Sequence, residues 1–98
     1  MGNQYILDGK TPKAVDDVLE WGRWFETADR HVNKTDLPNN VQVSTVFLGL
    51  AHSFGGGVPL LFETMIFGGE HDGYQERYAS WEDAEAGHRR AVKVAKES

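Results

Sequence analysis

A chain of 98 residues with 40% hydrophobic and 11% aromatic residues has the composition of one small globular domain, well away from the disordered class. Fifteen Asp and Glu against ten Lys and Arg leave a net charge of -5, which repels phosphate backbones and excludes nonspecific nucleic-acid binding. The lack of cysteine excludes a disulfide scaffold, thiol catalysis and thiolate zinc sites.

The opening MGNQYILDGK has no basic segment followed by an apolar one, and no later stretch approaches the roughly 18 apolar residues of a membrane span. The expectation is a cytoplasmic protein that does not engage a membrane. Gln4 to Asp8 predicts a short strand ended by Asp8-Gly9. Thr11-Pro12 reads as a helix cap followed by proline at the first helical position, where its missing N–H costs nothing. Val15, Val18, Trp21, Gly22, Phe25, Ala28 and Val32 then recur at steps of three and four, which predicts an amphipathic helix from Thr11 to about Val32. Trp24 falls about 100° from the centre of that face, so it is either an exposed binding anchor or the edge of a small core. Asp29, near the apolar face, requires a structural partner, with Arg30 at hand.

Asn33 to Asn40 is polar, contains proline and predicts a loop. Val41 to Ala51 and Pro59 to Phe67 are rich in β-branched and aromatic residues and predict two strands, joined through His52-Ser53-Phe54-Gly55-Gly56-Gly57. A phosphate-cradling loop opens directly into a helix, whereas Val58-Pro59 and a strand follow here, and neither nucleotide-binding glycine consensus is present. The triple glycine therefore reads as a turn, with freedom to move over a bound partner. Alternation in "LLFETMIF" sets Leu61, Glu63, Met65 and Phe67 on one face and Phe62, Thr64 and Ile66 on the other, so either Glu63 or Thr64 points toward the core. A buried Glu63 beside His52 or His88 would be a general-base candidate; on the solvent side it is a surface acid.

After a turn at Gly68 to Gly73, Tyr74 to Ala79 predicts a weaker strand. Ser80, three residues before Asp83, has capping-box spacing, and Trp81, Ala84, His88, Ala91 and Ala95 form the inner face of a last helix. Acidic residues in the first turns of both helices, and Arg89, Arg90, Lys93 and Lys96 toward the end of the last one, match the helix dipole. The order β-α-β-β-β-α predicts a single α+β domain over residues 1–98, an antiparallel sheet of three to four strands with both helices on one face. His31, His52, His71 and His88 lack the close spacing of a helical metal site, so neither metal nor cofactor is expected.

"WGRWFETADRHV", "VSTVFLGLAHSFGGGVPLLFETMIFGG" and "RYASWEDAEAGH" together resemble a family of small proteins encoded in bacteriophage and prophage genomes, over Trp21 to His88. Relatives carry Asp before the histidine of the central stretch, where this chain has Ala51. The resemblance implies a phage protein made in the bacterial host cytoplasm, of a class rich in inhibitors of host defence, and it brings no catalytic residues with it. A binding protein of this class would block an immune effector protein, as anti-CRISPR proteins do, through its acidic helix faces and Trp24. Alternatively it would sequester a nucleotide second messenger through the backbone of Gly55, Gly56 and Gly57 with Arg77 or Arg89, at a homodimer interface. Candidate binding residues are Trp24, His52, Phe54, Gly55, Gly56, Gly57, Glu63, Arg77, His88 and Arg89. Two other readings stand beside these: a small hydrolase using His52 and Glu63 as acid and base, and a phage structural or regulatory accessory factor.

Overall fold

The computed structural model describes residues 4–51 and 57–97, which build an α+β architecture. Strands β1 (Tyr5–Asp8) and β2 (Thr11–Ala14) form a hairpin turning through Gly9-Lys10. Thr11 and Pro12 are thus strand residues and not a helix start. The ladder explains why proline is tolerated. Asp8 faces Thr11 and Leu7 faces Pro12, and the Val15 N–H donates to Gln4 O at 3.0 Å. Counting back by alternation, the backbone nitrogen of Pro12 points away from β1, where a missing N–H breaks no ladder bond.

Helix α1 (Val18–Thr27) is shorter than its period predicts and begins at Asp17, whose carboxylate accepts from Leu19 N–H at 2.9 Å and Glu20 N–H at 3.4 Å. It ends where Asp29 Oδ1 accepts the His31 N–H at 3.0 Å and starts the next strand. Asp29 is exposed and its partner is His31 instead of Arg30; the backbone bond from His31 holds its carboxyl below the ordinary carboxylate range. Arg30 lies over the Phe25 ring at 4.0 Å and donates to Phe47 O at 3.1 Å.

Strands β3 (His31–Leu37), β4 (Val41–Phe47), β5 (Phe62–Phe67) and β6 (Gln75–Tyr78) form an antiparallel meander in the order β3-β4-β5-β6. The pairing of β4 with β5 across the glycine-containing connection is as the sequence predicts. β3 takes up residues expected to end a helix and form a loop. Its turn into β4 uses Asn39 and Asn40 at φ 65 and 62, a region asparagine tolerates better than most side chains.

Helix α2 (Trp81–Lys96) starts as expected at Ser80, whose hydroxyl accepts the Asp83 N–H at 3.1 Å. It covers the sheet face carrying Val43, Thr45, Phe47, Phe62, Thr64 and Ile66, all wholly buried. One part of the core gathers Phe47, Leu61, Phe62, Tyr78 and Ala84, and the other Val43, Ile66, Ala91 and Ala95. α1 reaches the same face through Trp24, edge-on to Phe47 with ring centroids 5.7 Å apart. Trp21 Nε1 donates to both Tyr5 O and Gly49 O at 3.1 Å, fastening α1 to the hairpin and to the chain after β4. Tyr78 lies against Gly87 of α2, so close that a Cβ there would stand 2.0 Å from the phenol oxygen. No helix among the described residues is long and apolar enough to cross a membrane.

Candidate functional site

Strand alternation decides which polar groups meet the core. Thr64 points inward under α2 and Glu63 points to the opposite face, away from α2. The buried side holds a polar chain across three strands and a helix. Thr35 Oγ1 lies 2.8 Å from His88 Nε2, His88 Nδ1 lies 2.7 Å from Thr45 Oγ1, and Thr45 Oγ1 lies 2.5 Å from Thr64 Oγ1. A neutral imidazole needs one donor and one acceptor, and rotatable hydroxyls satisfy either tautomer. Burial pushes the His88 pKa below its ordinary value, so the ring is neutral at pH 7 and acts as a structural crosspiece.

The unfolded chain binds a proton at His88 near pH 6.5 while the folded chain still resists it, so the full contribution is present above that pH. Stability is expected to fall as pH drops through 6.5 and to keep falling until the folded pKa is reached. Denaturant melts between pH 8 and 5.5 check this, with the slope flattened in His88→Gln.

On the face away from α2, Glu63 is 12% exposed and accepts from Arg77 Nε at 2.9 Å and from the Gln75 amide. Its register places Arg77 directly opposite on β6. Lys34, Asp36, Gln42, Ser44, Val46, Met65 and Phe67 share this face by alternation. Glu63 and His88 therefore stand on opposite sides of the sheet and do not form an acid–base pair. His52, Phe54, Gly55 and Gly56 lie outside the described residues, and with them the proposed partnership of His52 and Glu63. Gly57 is exposed and outside regular structure, and Arg89 is exposed on α2. Trp24 is half-buried against Phe47, which is the core-edge alternative.

A cleft of about 450 Å³ beside β6 and α2 is lined by Leu60, Glu76, Arg77, Tyr78 and Arg90. Glu76 there is engaged by Arg90 Nη2 at 2.7 Å, and that guanidinium holds the Glu76 carboxyl below the ordinary range. Among the described residues no cluster of three or more His, Asp and Glu converges to hold a metal ion.

The helical period sets Val18 inward, yet it stands in solvent beside Leu19. Val18 is 59% and Leu19 70% exposed, flanked by exposed Asp16, Asp17 and Glu20. The signal that locates them is Asp17: as a cap it starts the helix at Val18, and the first turn stands in solvent instead of continuing the buried stripe. No family model, no curated protein and no solved structure matches the chain.

Proposed function

We propose that the protein is a noncatalytic binding protein of bacteriophage type that counteracts a bacterial antiphage defence system by blocking an immune effector protein in the host cytoplasm. The observation that carries this reading is the Val18–Leu19 pair, held out from the first turn of α1 among three carboxylates. An apolar tip rimmed by negative charge suits an effector surface with an apolar pocket and a basic rim: burial of the tip supplies affinity and the carboxylates steer encounter. Trp21, Trp24 and Phe25 anchor α1 one to two turns beyond the tip, so the tip is presented on a fixed support. The likeness to phage and prophage proteins supplies the biological class.

The test expresses the protein in bacteria carrying individual antiphage defence systems and measures phage plating. Wild type is expected to restore plating against at least one system and to copurify with its effector. Leu19→Asp is expected to weaken that complex by at least about tenfold, the scale of a truncated hot spot. No restoration across the panel, restoration indifferent to Leu19→Asp and Val18→Asp, or release of a nucleotide in place of a retained protein would each overturn it.

A further inference from the structure

The outer edge of the sheet carries a pattern that matches itself. The Leu48 N–H donates to Leu61 O at 2.7 Å and the Phe47 N–H to Arg30 O at 2.7 Å. Alternation then turns the backbones of Gln42, Ser44 and Val46 toward β5 and those of Val43 and Thr45 toward β3. Asn33 and Thr35 stand opposite Thr45 and Val43, so they spend their backbone groups on β4. Lys34 and Asp36 turn theirs outward, on an edge that no other strand among the described residues covers. Both side chains are exposed on the same face of the sheet.

We infer that β3 is a dimerisation edge, on which two copies of this chain pair antiparallel about a two-fold axis at Thr35, each Lys34 opposite the partner's Asp36. Three features select that register. A bulge between His31 and Asn33 and the Asn39-Asn40 turn leave Asn33 to Leu37 as the straight segment, and Thr35 is its midpoint. Only outward-facing residues can exchange backbone bonds across the seam, which confines the axis to a residue and excludes the points between residues. An axis at Lys34 sets ammonium against ammonium and one at Asp36 sets carboxylate against carboxylate, whereas Thr35 sets opposite charges together at both places. The pairing joins two four-stranded sheets into one and hides an exposed edge, which otherwise is a template for uncontrolled association. It displaces one local bond, from the Lys34 N–H to its own Asn33 Oδ1 at 2.8 Å, and Asp36 retains its bond from Gln42 Nε2 at 3.0 Å.

Sedimentation equilibrium over a wide concentration range, with circular dichroism to verify folding, tests it. Wild type is expected to show a monomer–dimer equilibrium that weakens as salt rises. Lys34→Glu alone and Asp36→Lys alone are each expected to raise the dissociation constant by about tenfold or more, by setting like charges at both paired positions. Mixing these two variants is expected to restore association. Across the mixed seam the introduced carboxylate of one chain faces the introduced ammonium of the other, and the unaltered Asp36 of the first faces the unaltered Lys34 of the second. The double reversal in one chain is expected to restore association too. A wild type that stays monomeric, a dimer indifferent to single reversal, or folded variants that fail to associate on mixing would overturn the assignment; if one single variant fails to fold, the double reversal decides.

Discussion

Gly87→Ala is expected to destabilise the protein by ~2 kcal/mol, lowering its melting temperature by about 10 °C. The direction is opposite to the usual rule, under which alanine in place of a mid-helix glycine stabilises by about 1 kcal/mol. Sterics decide the sign. A Cβ on Gly87 would stand 2.0 Å from Tyr78 Oη, 2.1 Å from Cζ and 2.3 Å from Cε1, three atoms of one rigid phenol group. That ring is packed in one cluster with Phe47, Leu61, Phe62 and Ala84, so withdrawing it disturbs contacts of the core. Its hydroxyl lies near Thr64 and Glu76 without a well-aligned hydrogen bond to either, and burial pushes its pKa up to about 12. Tyr78→Phe in the Gly87→Ala background should therefore give no relief, because Cζ and Cε1 remain, whereas Tyr78→Leu should remove most of the penalty in a double-mutant cycle. A Gly87→Ala protein that melts at or above the wild-type temperature would show that α2 does not rest on Tyr78.

The second large effect is expected at Thr45. Thr45→Val keeps the side-chain shape but deletes the hydroxyl that joins His88 to Thr64, leaving both partners without that bond in a region closed to water. Each orphaned group costs ~1–3 kcal/mol, so a loss of about 3 kcal/mol is expected, read as a shift of the denaturant midpoint with little change in its slope. Thr35→Val removes the partner on the other nitrogen of His88, but Thr35 is only half-buried and water can replace it. Its cost should be about 1 kcal/mol. Equal costs at the two positions would contradict the ordering of the chain from surface to interior.

Much of the sheet and the last helix is legible in the residues themselves. "LLFETMIF" alternates, and it separates Thr64 from Glu63 onto opposite faces as period-two geometry requires. Ser80 and Asp83 mark the start of α2, and His88 falls on its inner face. β3 is illegible because edge strands are polar on both sides, and its bulge breaks the alternation that Val32, Thr35 and Leu37 would otherwise show. β2 is hidden by Thr-Pro, a pair that suits either a helix start or the outer side of a hairpin; only the bonding partner of Gln4 decides between them. The same ambiguity carries the expected helix too far toward its start and turns Val18 inward, when Asp17 caps the helix and leaves Val18 in solvent. Local periodicity locates a stripe, but which end of it finds something to pack against depends on contacts made by distant strands.

The hydroxyl–imidazole chain also audits how the strands are aligned. Sliding β4 by two residues along its neighbours would preserve the inward and outward sides, and with them most of the oily contact that drives collapse. Such a slide would bring Val43 or Phe47 to the position of Thr45, and the His88 ring would face hydrocarbon with its nitrogens bare. Misaligned sheets are thereby penalised by the loss of the bonds that brace the correct one, which makes the histidine a proofreader of the alignment as well as a fastener of it.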